Sequence, residues 1–169
     1  ADHGIQLAVA AHDNTIGGAT GADGNVIAHN GGHGVQVRDA TSVGNTLTHN
    51  SIWGNTLLGI DLSQGGNLEL FPPLLEQVTP DAASGLAVPG STVEVFSDDG
   101  AQGRAFEGSV TADAVSGAFS FSQSGGFGLT NVTATATDGE GNTSEFSAAS
   151  TPGRDVSVIQ VYVPQPRQE

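Results

Sequence analysis

The chain has 169 residues, enough for one medium domain or two small ones. Its net charge of -14, with arginine as its only basic residue besides histidine, excludes a nucleic-acid binder, which needs Lys and Arg to neutralise phosphates, and disfavours an anionic membrane surface. Cysteine and methionine are absent, so no disulfide staples the fold, and the chain reads as a processed product or a fragment. With 25 glycines and only 13% charged residues, the composition predicts many turns and few helices. No apolar run reaches the length of a membrane-spanning helix.

Gly4-Ile5-Gln6-Leu7 opens a phrase that returns as Gly34-Val35-Gln36-Val37 and again as Gly59-Ile60-Asp61-Leu62. A second phrase, Asn14-Thr15-Ile16, returns as Asn45-Thr46-Leu47. The segment from Asn25 aligns on the segment from Asn50, so that Asn25 meets Asn50, Ile27 meets Ile52 and Asn30 meets Asn55. Apolar and polar residues alternate within each phrase, which is the period of a strand. A strand repeat of this length cannot bury its apolar face alone and predicts a stacked solenoid over residues 1–70. The glycine-rich stretch Gly17 to Asp23 reads as a loop insertion in the first coil. Gly4 to Val9 reads as a strand without a cap, so Ile5, Leu7 and Val9 mark an open solenoid end, and Phe71 is the expected plug of the other end. Pro72 and Pro73 close the segment.

These phrases resemble the right-handed parallel β-helix repeats of bacterial and archaeal surface proteins, with their NTI, GNVI and N-x-I-x-x-N motifs. The resemblance covers roughly residues 1–70. It implies two to three coils with two asparagine ladders, Asn25 on Asn50 and Asn30 on Asn55.

Residues 71–150 change character. Short alternating strands are expected at Ser91 to Phe96, Ser109 to Ala112, Gly117 to Phe121, Asn131 to Thr137 and Glu145 to Ala148. Short strands at this spacing, six or seven over the whole segment with these five the clearest, predict a small antiparallel β-sandwich. The phrases PGSTVEVFSD (Pro89 to Asp98) and VTATATDGEGNTSEFS (Val132 to Ser147) resemble bacterial immunoglobulin-like modules. The expected fold class is therefore all-β. It is a parallel β-helix of two to three coils, an immunoglobulin-like sandwich, and then a linker and terminal strand over residues 151–169. That last strand, carried by Val156, Val158, Ile159, Val161, Tyr162 and Val163, either packs on its own sandwich or adds to a neighbour's sheet.

The chemistry-bearing residues are sparse. His3, His12, His29, His33 and His49 read as surface turn histidines. Asp2, Asp13, Asp23, Asp39 and Asp61 fall in no common repeat column, whereas glycoside hydrolysis needs two carboxyls at a set separation. Asp98 with Asp99, and Asp138 with Glu140, sit in DDG and DGEGN stretches, weak calcium candidates that also fit ordinary turns. Trp53 is a candidate glycan contact. Asn131 and Asn142 match the N-glycosylation pattern.

The expected function is non-enzymatic and structural. The chain reads as an extracellular or cell-surface subunit that self-assembles with its own copies into a fibre or layer, through the open solenoid end, the terminal strand, or both. A carbohydrate-binding or adhesive module at the C-terminal end of a larger surface protein is the second reading. A polysaccharide lyase or hydrolase fragment is the third. No cofactor is expected apart from the calcium candidates. No nucleic-acid partner and no membrane insertion are expected.

Overall fold

The computed structural model describes residues 2–153. It is all-β, with parallel sheets in the first half and antiparallel sheets in the second. The first half contains β1 (Ile5–Leu7), β2 (Thr15–Gly17), β3 (Val26–Ala28), β4 (Val35–Arg38), β5 (Thr46–Thr48), β6 (Ser51–Trp53) and β7 (Ile60–Ser63). They form three narrow parallel sheets, β1-β4-β7, β2-β5 and β3-β6. The register follows the sequence repeat: Ile5 pairs with Val35 and Val35 with Ile60, Ile16 with Leu47, and Ile27 with Ile52. Each pass of the chain thus lies on the one before it.

Burial deepens along the stack. Ile5, Leu7 and Ile16 of the first pass are half-buried, whereas Val35, Val37, Leu47, Ile52 and Ile60 form the core. The glycine that opens each phrase is dictated by close approach. A Cβ on Gly4 would sit 2.6 Å from the Gly34 carbonyl oxygen, and one on Gly34 would sit 2.5 Å from that of Gly59.

The second half contains β8 (Leu74–Val78), β9 (Ala82–Leu86), β10 (Thr92–Asp98), β11 (Ala105–Thr111), β12 (Ala118–Ser122) and β13 (Asn131–Thr137). They form two antiparallel sheets, β11-β10-β13 and β12-β9-β8. A second core lies between them, built from Leu75, Val78, Ala83 and Phe119 on one side and Val93, Val95, Val132 and Ala134 on the other. β10 is buried on both faces from Val93 to Asp98. Val93 and Val95 enter that core, while the alternate residues Glu94 and Phe96 turn towards the parallel stack, the two-residue period of a strand.

Several sequence expectations differ from this arrangement. β8 and β9 have no counterpart among the strands expected, and β11 is longer than Ser109 to Ala112. Glu145 to Ala148 forms no strand. Instead the Ser144, Ser147 and Ser150 amides donate to the β13 carbonyls of Ala136, Ala134 and Val132. The Ser144 and Ser147 hydroxyls accept from the Ala136 and Ala134 amides in return. Phe71 does not plug the stack: it is 81% exposed. Val9 is not part of the edge strand. β1 ends at Leu7, and Val9 sits in a left-handed turn with φ 57 and 91% exposure.

The turns of the stack are satisfied by asparagine. The Asn50 Oδ1 accepts from both the Asn25 amide and the Asn25 Nδ2, each at 3.0 Å, and Asn50 Nδ2 donates to the Ile16 carbonyl. Asn55 repeats this with Asn30 and Ile27. A third column joins Asn14 to Asn45 and Asn45 to Asn67. Asn50 is 3% exposed, so removing its amide leaves the part-buried Asn25 amide and Ile16 carbonyl without their partner and empties a buried site, each loss costing about 1–3 kcal/mol. We therefore expect Asn50→Ala to lower unfolding free energy in urea by about 2–4 kcal/mol and Asn25→Ala, at the exposed edge, by about 1 kcal/mol or less. Equal losses would contradict this ranking.

Candidate functional site

The two ends of the parallel stack are chemically different, and the candidate site is built on that difference. At the far end, the antiparallel half covers the last pass. Ile52 of β6 exchanges both backbone hydrogen bonds with Gly103, at 2.9 and 2.8 Å. The Gln102 Oε1 accepts from the Asn55 amide and Nδ2, the same two donors that Asn55 itself accepts from Asn30. The Leu47 amide donates to the Thr143 hydroxyl, the Leu62 amide to Glu145 and the Gly44 amide to Asn142. Phe146 packs on the stack core, and its ring lies where a Cβ on Gly59 would come within 2.9 Å, the place a further pass would take. Phe146, not Phe71, is therefore the plug.

Glu94 adds a buried carboxylate to this junction. It accepts from the Thr48 hydroxyl and from the His49 amide, while the His49 ring packs 4.5 Å from Phe106. Asn67, fully buried, donates to Asn45 O and Thr143 O. It begins three successive non-glycine residues in left-handed geometry, Asn67, Leu68 and Glu69. Such geometry costs roughly 1–2 kcal/mol per residue, so the ladder and cap contacts of Asn67 must outweigh it.

At the near end, β1, β2 and β3 each have a neighbour on one side only among the described residues. Ile5 and Leu7 lie on this edge half-buried, beside the exposed Val26, whereas Val9 lies off it. Asn14, Asn25 and Asn30 donate into the stack from here.

The remaining candidates do not converge. His3 and His33 stack at 5.1 Å, and each ring is used by the fold: the His33 amide donates to His3 Nδ1 and the Leu58 amide to His33 Nδ1. Gln6, Gln36 and Asp61 form a hydrogen-bonded row beside them. His29 meets the edge of Trp53 at 4.4 Å, and the Arg104 guanidinium lies 4.5 Å over the Trp53 ring. One aromatic face that could stack on a sugar is thus occupied by Arg104.

The calcium candidates form two separate turns. Asp98 opposes Asn131 at one end of the β10–β13 pair, and Asp138 follows Thr137 at the other. Six residues of strand, about 20 Å, separate them, too far to share an ion. Asp98 accepts from the Gln102 amide, and Asp138 accepts from the Glu140 and Asn142 amides. Among the described residues, no three His, Cys, Asp or Glu side chains are grouped to hold a metal ion. No helix there is long and apolar enough to cross a membrane. Val156, Val158, Ile159, Val161, Tyr162 and Val163 lie outside the described residues.

No protein-family model matches the chain, and no curated protein matches it significantly.

Asp39 is a residue whose role the repeat did not show. Its φ is 77, and its carboxylate joins the first two passes by accepting from the Val9 amide at 2.6 Å and from Thr41 and Ser42. The Thr41 hydroxyl, then the Val9 and Thr41 amides and Ser42, draw its pKa from 3.8 to about 2. The folded chain thus favours the ionised form. The contribution of Asp39 is complete above about pH 4 and fades as pH falls towards 2. We expect Asp39→Asn to be less stable than the native chain at pH 7, with the gap closing by pH 2 in acid-titrated thermal melts. A gap independent of pH would contradict the role of the carboxylate.

Proposed function

We propose that this chain is a non-catalytic structural module of an extracellular surface assembly. In this reading the parallel stack is a short right-handed β-helix, and the antiparallel half is an immunoglobulin-like sandwich that terminates it. The observation that carries the reading is the asymmetry of the ends. One is closed by Gln102, Gly103, Thr143, Glu145 and Phe146, and the other presents three singly paired strands. An edge with unpaired strand groups and half-buried apolar residues is an association surface.

A structural role is also supported by how the polar side chains are spent. His3, His33, Asn45, Asn50, Asn55 and Glu94 all hold backbone groups of the fold. A net charge of -14 keeps such a module soluble and suits exposure on a surface.

The filament form of this function joins copies through Val156 to Val163, and the adhesive form uses Trp53. The closed end favours a module that finishes a surface protein. The test is light scattering and electron microscopy of the native chain, beside Val26→Lys and a deletion of Val156 to Glu169. Val26 is 73% exposed on β3, where a lysine blocks edge pairing without disturbing the core. We expect concentration-dependent association of the native chain, reduced by Val26→Lys with little change in melting temperature. Association lost only on the terminal deletion would assign the joint to that strand instead.

A further inference from the structure

The asparagine columns have a direction, and that direction specifies what the open edge accepts. In every column the earlier asparagine is the donor and the later one the acceptor. Asn14, Asn25 and Asn30 donate Nδ2–H to the Oδ1 of Asn45, Asn50 and Asn55. Their backbone amides donate to the same three oxygens. Asn55 donates in the same sense to Gln102, and the Asn45 amide to Asn67. Among the described residues the columns therefore run out at the near end on three acceptors, the Oδ1 atoms of Asn14, Asn25 and Asn30.

We propose that the occupant of the open edge is one further parallel coil carrying asparagine at the ladder positions, which donates amide and Nδ2 hydrogens to those three acceptors. This rests on the edge being an association surface, and it names the partner that the surface selects. The first pass shows what such a coil achieves: beneath it Val35 and Val37 of the second pass reach 0% exposure, whereas Ile5 and Leu7 remain half-buried. Two other occupants cover the same apolar edge without matching its acceptors, so copies of the chain associate through it loosely and reversibly rather than as a discrete dimer. A second copy meeting this one edge to edge about a two-fold axis would set acceptor columns against acceptor columns. A second copy meeting it end to end would have to present a donor end that its own Gln102, Thr143 and Phe146 already cover.

An isolated coil does not fold alone, so the probe is tethered. A second copy of Gly4 to His33 is placed directly before Gly4 of the full chain, which repeats the natural step from His33 to Gly34. The same extension is made in a chain carrying Asn14→Ala, Asn25→Ala and Asn30→Ala, and each is compared with its unextended parent. This cycle isolates the ladder from simple apolar covering. The expected result is a rise in melting temperature of several degrees in the native background, falling to less than half of that rise in the triple variant. The added coil should also resist limited proteolysis at the junction.

Equal gains in both backgrounds, or no gain with cleavage at the junction, would overturn the proposal. So would a discrete dimer of the unextended chain whose Asn14, Asn25 and Asn30 amides become protected from exchange. The reading beneath it is measured separately by the association of the unextended chain. Association without a gain from the coil sinks only the present inference, and a gain without association sinks only that reading.

Discussion

A β-chain that bends several times per pass must satisfy the backbone polar groups at every bend, and this stack does so with buried asparagine. The bends themselves are strained. Asp13, His29 and His49, together with Gly44 and Gly54, have positive φ, and each stands immediately before a ladder asparagine. An asparagine side chain has the length and the paired donor and acceptor to answer the turn on an adjacent pass. One Oδ1 takes two hydrogens, and one Nδ2 reaches back to a carbonyl of the previous pass. Remove that exchange and the left-handed residue, the orphaned amide and the apolar column all lose their support together.

The closing half obeys the same constraint with different residues. A strand edge can be ended by another strand, but among the described residues the backbone pairing across this junction is that of Gly103 with Ile52 alone. At the other positions side chains stand in for main chain. A glutamine replaces the next asparagine, a threonine hydroxyl and a glutamate replace carbonyls, and a phenylalanine replaces an apolar column. β10 and β13 are consequently buried on both faces, which explains why polar residues such as Glu94, Thr133 and Thr135 lie inside the molecule.

The parallel half was largely legible because its information is local and repeated. Spacing of 25 between Asn25 and Asn50 and between Asn30 and Asn55 is constant and survives into the register. Asn67 escaped because it follows Asn45 by 22 residues and lies in no apolar phrase. The terminator was hidden for a different reason. Phe71 directly follows the last repeat and reads as its plug, whereas Phe146 lies far along the second half, and only the three-dimensional path decides that the first is solvent-exposed and the second packed on Ile60 and its neighbours. β9 was missed because Ala82, Ala83, Ser84 and Gly85 have little strand propensity; pairing with β8 and β12 imposes the conformation. The aspartate turns resembled ion sites because the same short spacing serves a carboxylate that binds its own backbone amides.

The position of the plug also has a temporal meaning. Thr143 meets Leu47 across 96 residues of chain, and Asn142 meets Gly44 across 98. Contacts so distant in sequence are slow to form, since loop closure precedes any gain. A nascent chain would therefore hold both ends of its first half unsealed until the last stretch of the second half had emerged. Until then the far edge is as open to mispairing as the near edge is in the finished protein.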